Sequence, residues 1–140
     1  MMLFNKNINF KIKDNLQEIK SKWIETFAGH LTEKQRRKIY MNSYLWHLFS
    51  YDKAQYIEGN KARDAFDELK DKEYYIFYED YAYNHDIAEY KNKVFEVLNC
   101  DEVKAEYFNE ENDIYIVDKS FKWTYVNTHE EYCGPYFCKL

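Results

Sequence analysis

The chain has 140 residues, a size that fits one domain with one substantial core. Its charge is divided: residues 1–70 carry 13 Lys and Arg against 9 Asp and Glu, a net +4, whereas residues 71–140 carry 7 against 16, a net −9. An acidic second half argues against nucleic acid, whose phosphates need a basic footprint, and suits a basic protein partner.

Aromatic residues make up 20% of the chain, with fifteen Tyr, ten Phe and three Trp. Such rings bury a large area each, so few are needed to stabilise a small core. Fifteen Tyr exceed what one core holds, and rigid Tyr at a surface favours protein contact. The opening Met1-Met-Leu-Phe-Asn-Lys has no apolar export core, and no apolar run reaches the ~20 residues of a membrane span. Three cysteines, an odd number, then point to reduced thiols and a cytoplasmic location. With one Pro, three Gly and no repeat, residues 1–140 read as a single domain without a linker.

Ile8, Phe10 and Ile12 alternate with polar residues, which predicts a short edge strand with one wet face. Asp14 or Asn15, with Gln17 or Glu18 three residues on, opens a helix. Leu16, Ile19, Trp23, Phe27 and Leu31 form its apolar stripe, and Gly29 stands near its end. Thr32 and Gln35 repeat the capping signature and start a shorter helix reaching about Met41. Its basic cluster, Glu33-Lys-Gln-Arg-Arg-Lys38, suits an intramolecular or solvated role better than nucleic-acid contact.

Tyr44-Leu-Trp-His-Leu-Phe-Ser-Tyr51 is short, aromatic and apolar on both faces, so it reads as a central strand. Gly59-Asn60 starts a helix that buries Ala62, Ala65, Phe66 and Leu69, and Tyr74 to Glu79 is the next strand. Asp80 to Lys93 shows no clean period and predicts a long excursion or an irregular hairpin. A strand at Val94 to Leu98 and a short helix at Asp101 to Phe108 follow. Ile114 to Val117 and Trp123 to Thr128 then pair as an antiparallel hairpin around Asp118-Lys-Ser-Phe121. This order predicts an α+β domain: a mainly antiparallel sheet with the N-terminal helices packed on one face.

His129, Glu130, Cys133 and Cys138 invite a metal reading, but structural zinc takes four ligands, usually in tight pairs. Those pairs are missing, and Cys100 or His47 would have to complete the shell, so no metal site is assigned. No phosphate-binding loop, nucleophile elbow or cofactor motif occurs. Cys133 and His129 could form a nucleophile–base dyad only if the turn at Cys133-Gly134-Pro135 folds the chain back. A small hydrolase or transferase built on that pair is the alternative function; a buried, inert Cys beside a turn is the simpler account. His47, between Trp46 and Leu48, reads as a core histidine unless it meets His129.

Three blocks give the chain a resemblance: Tyr44-Leu-Trp-His-Leu-Phe-Ser-Tyr-Asp-Lys53, Ile114-Tyr-Ile-Val-Asp-Lys-Ser-Phe-Lys-Trp-Thr-Tyr-Val-Asn-Thr-His-Glu130 and Cys133-Gly-Pro-Tyr-Phe137. Together they resemble a bacterial domain-of-unknown-function family, from the Trp23 helix to Phe137, and most weakly between Asp80 and Lys93. Small acidic proteins of this kind are similar to the immunity proteins encoded beside bacterial toxins. The resemblance implies a non-enzymatic cytoplasmic protein, without cofactor, that neutralises a basic cognate toxin such as a nuclease by direct binding. Its contacts are expected in the acidic, Tyr-rich stretch: Glu79, Asp80, Tyr81, Tyr83, Asp86, Glu89 and Tyr90.

Overall fold

A computed structural model describes residues 5–98 and 102–140. Its centre is a seven-stranded sheet in which every pairing is antiparallel. The strands are β1 (Lys11–Lys13), β2 (Ile57–Glu58), β3 (Tyr74–Tyr78), β4 (Val94–Val97), β5 (Ile114–Asp118), β6 (Trp123–Asn127) and β7 (Tyr136–Lys139). In space they run β1-β4-β3-β5-β6-β7-β2. The helices are α1 (Leu16–Ala28), α2 (Glu33–Lys38), α3 (His47–Ser50), α4 (Asn60–Glu68) and α5 (Asp80–Asn84), with 3₁₀ turns at Ala88–Tyr90 and Ala105–Phe108. The α+β architecture is the expected one.

The period-two alternation of side chains sends neighbouring residues of each strand to opposite faces. On one face Trp23 of α1 is fully buried, packed edge-on against Phe49 and Tyr115, with its indole N–H donating to Thr124 Oγ1 at 3.0 Å. Phe77 stacks on Tyr115 there at 5.0 Å. The opposite face is closed by α4, whose Phe66 meets Tyr74, Phe108, Trp123 and Tyr125. Trp123 and Tyr125 therefore anchor the sheet on this side. Thr32 and Gln35 form the expected capping box, and Arg36 turns inward, donating to the carbonyls of Ala28 and Leu31 at the end of α1. The basic cluster thus supplies a helix cap, which accounts for Arg36 without nucleic acid.

One expectation fails and others are refined. Residues 44–51 are turns followed by α3, and they cover the sheet instead of joining it. Leu45, Trp46, Leu48 and Phe49 point to the core while Tyr44, His47 and Tyr51, spaced three and four apart, line the outside. That helical spacing was available in the sequence, but a run this short and apolar also fits a buried strand. The excursion after β3 is helical, because Tyr83 folds under it: its hydroxyl accepts from Tyr78 N and donates to Lys93 O. The tail, to which the sequence assigns no element, is a full strand. Gly134 adopts φ +90°, a conformation L side chains rarely take, and the chain then enters β7 between β6 and β2. The short helix expected at Asp101 to Phe108 is the 3₁₀ turn at Ala105–Phe108; Asp101 itself lies outside the described residues.

Candidate functional site

Asp113 stands just before β5, fully buried, in the left-handed region at φ +53° that Asp tolerates better than most residues. Its backbone carbonyl accepts from Glu79 N, and Asn127 pins the loop before it by donating to the carbonyls of Phe108 and Glu111. The Asp113 carboxylate gathers donors from three separate segments. Trp46 Nε1 reaches Oδ1 at 2.8 Å, the Tyr81 hydroxyl reaches Oδ2 at 2.6 Å, and His129 gives both its amide at 3.1 Å and ring Nδ1 at 2.8 Å. A buried carboxylate needs such donors to offset lost hydration. Because a carboxylate only accepts, Nδ1 of His129 carries the proton, and Nε2 faces outward, 3.2 Å from Glu130 Oε1.

A second buried carboxyl lies beside it. Glu79 Oε2 accepts from Leu45 N at 3.1 Å and from the Tyr115 hydroxyl, which in turn accepts from Trp46 N at 3.0 Å. Burial pushes the Glu79 carboxyl up to about 7; Asp113 adds to the rise, while Tyr115, Lys20 and the Leu45 amide oppose it. Glu79 and Asp113 together fasten the segment around Tyr44–Trp46 to the sheet. Above them Tyr44 lies 5.0 Å from the His129 ring and 5.5 Å from that of His47. His47 is anchored through Nδ1 to the carbonyls of Ile39 and Tyr40. The two histidines thus flank Tyr44, both with Nε2 free of the anchoring contact.

Cys133 is placed differently. Its backbone closes a turn in which Cys133 N donates to Glu130 O and Thr128 donates to Cys133 O. Among the described residues no hydrogen bond joins Cys133 to His129, and no group of three His, Cys, Asp or Glu side chains could hold a metal. Cys100 lies outside the described residues.

The family described as a domain of unknown function, DUF4275, matches the chain over residues 1–137. The chain belongs to the DUF4275 family. No curated protein and no solved structure matches it. The three blocks that carried the resemblance are parts of this DUF4275 chain that converge: the first supplies Tyr44, Trp46 and His47, the second brings His129 beside Tyr44, and the third packs Tyr136 against Phe49 of the first. No helix of its described residues is long and apolar enough to cross a membrane.

In the acidic, Tyr-rich stretch, the DUF4275 chain separates structural from surface residues. Glu79 and Tyr83 are buried and hold the stretch in place. Asp80, Asp86 and Glu89 are exposed, Asp80 pairing with Lys20 at 2.6 Å. Tyr90 is half-buried against Phe95. Tyr81 does both, with its hydroxyl tied to Asp113 and its ring lining a recess of about 220 Å³ beside Tyr78, Asp86, Glu110 and Glu111. Asp113 itself, the centre of the network, was not singled out from sequence because it follows an acidic turn, Asn109-Glu-Glu-Asn112, that looks like ordinary solvated loop. Trp46 was equally hidden inside an apolar run.

Proposed function

We propose that this chain is a non-enzymatic cytoplasmic binding protein, specifically a bacterial immunity protein that neutralises a basic cognate toxin by direct contact. The observation that carries this reading is the rigid mounting of exposed carboxylates and Tyr beside the Asp113 network. Asp80, Asp86 and Glu89 project from a segment fixed to the sheet by Tyr81 and Tyr83. A surface held in advance loses little entropy on association, and its negative potential steers a basic partner. The excess of acid in residues 71–140 supports the same reading.

The polar groups that suggest catalysis have structural duties. Asp113 and Glu79 hold the segment around Tyr44–Trp46, and Cys133 closes the turn before β7 through its backbone. A Cys133–His129 hydrolase or transferase has correspondingly less support, because among the described residues no hydrogen bond joins the two side chains.

The test is co-expression with the proteins encoded beside the gene. One of them should arrest growth alone, lose that effect in the presence of this chain, and co-purify with it. If no neighbour is toxic alone and none forms a complex, the reading fails.

A further inference from the structure

The rings above Asp113, half-buried at Tyr44 and His47 and exposed at Tyr51 and His129, form a row. Tyr51, His47, Tyr44 and His129 follow one another at centroid separations of 5.4, 5.5 and 5.0 Å, and Tyr81 branches from Tyr44 at 6.5 Å. Tyr51 is 44% exposed, Tyr81 36%, and the His129 side chain 33%. Three of these rings are tethered from beneath: His47 to the Ile39 carbonyl, and His129 and Tyr81 to Asp113. Aromatic side chains fixed in this way supply contact area at small entropic cost.

The sign of the field at the row selects the ligand. The Tyr44 hydroxyl is pushed above the ordinary phenol value, first by burial and then by the carboxylates Asp113, Glu79 and Glu130. Glu130, with a side chain 55% exposed, sits at the rim against His129 Nε2. Ring faces with carboxylates behind and beside them attract cations and repel phosphate. Among cationic side chains a guanidinium fits best, because it stacks flat on a ring while its edge donates to a carboxylate; an ammonium cannot do both.

We infer that the row from Tyr51 to His129 is a docking surface for arginine side chains presented by a basic protein segment. This rests on the protein-binding reading and names the partner chemistry at the aromatic edge of the acidic face.

The inference is tested on the whole chain by NMR titration with hexa-arginine and hexa-lysine peptides at low and raised salt. Hexa-arginine should shift Tyr44, His47, Tyr51 and His129 resonances along one saturable, salt-sensitive curve, and bind at least about threefold more tightly than hexa-lysine. Tyr51→Ala should weaken hexa-arginine about threefold, and Glu130→Gln should do the same, with circular dichroism unchanged in both. Shifts centred on Asp86 and Glu89, shifts spread over the whole acidic half, equal affinity for the two peptides, or no binding would each overturn it. A neighbour-encoded protein that binds while the peptide does not would sink this inference and leave the binding reading standing. A peptide that docks here while no neighbour binds would do the reverse.

Discussion

Nδ1 of His129 lies 2.8 Å from Oδ2 of Asp113, a residue sixteen positions earlier in the chain and fully buried. The same carboxylate holds the Trp46 indole and the Tyr81 hydroxyl. One acid therefore joins the entry to β5, the exit from β6, the segment before α3 and the start of α5. Each partner is a donor, so the cluster is satisfied only while the acceptor has both oxygens.

Asp113→Asn is the sharpest perturbation of that cluster. Asn tolerates the left-handed backbone at this position, so the change isolates the side chain. It replaces one acceptor oxygen with an NH₂ group that faces other donors, at an expected cost of about 3 kcal/mol. Urea denaturation with an unchanged slope measures this. A loss below about 1 kcal/mol would show that the network is not a principal tie.

Glu79 sets a pH dependence. Its carboxyl titrates near 4.5 when unfolded and at about 7 when folded, so the unfolded chain ionises first as pH rises. Its contribution to stability is therefore full below about 4.5, declines between about 4.5 and 7, and is flat above that. The decline amounts to about 3 kcal/mol. Comparing wild type with Glu79→Gln from pH 4 to pH 8 cancels the other titrating groups. The difference in unfolding free energy should change across this window in favour of Gln, and parallel curves would refute the assignment.

Much of the sheet was legible because alternation and turn chemistry are local. The β5–β6 hairpin follows from two β-rich runs around Asp118, whose side chain accepts from Lys122 N at the turn. The α1 stripe and the Thr32–Gln35 box are likewise local patterns. The segment at 44–51 reads as a strand in sequence because burial of Leu45, Trp46, Leu48 and Phe49 looks the same from a strand as from a helical turn. The site was largely illegible for a different reason. Asp113, His129, Trp46 and Tyr81 acquire their roles only when four distant segments meet, and nothing in their spacing announces the meeting.

Trp23 tests the core independently of the site. Trp23→Ala removes a fully buried ring from Phe49 and Tyr115 and the hydrogen bond to Thr124, with an expected cost of about 3–5 kcal/mol. Tyr51→Ala, on the surface, should stay within about 0.5 kcal/mol of wild type. Thermal or urea unfolding of the two variants side by side is sufficient, and similar losses would contradict the packing described.

Cys133 separates binding protein from thiol enzyme. The neighbouring carboxylates Glu130 and Glu131 offer nothing that activates a nucleophile at this thiol. Alkylation by iodoacetamide at neutral pH should proceed no faster at Cys133 than at an unactivated cysteine, and His129→Gln should leave the rate unchanged. A fast reaction that depends on His129 would favour the enzyme.

The central claim concerns a basic protein partner, and calorimetric titration with any protein encoded beside the gene that arrests growth when expressed alone addresses it most directly. Wild type should bind tightly, with affinity that falls as salt rises. Asp80→Lys, Asp86→Lys and Glu89→Lys combined should lose most of that affinity while keeping the fold. Absence of a complex, or binding indifferent to both salt and the three reversals, would contradict the account.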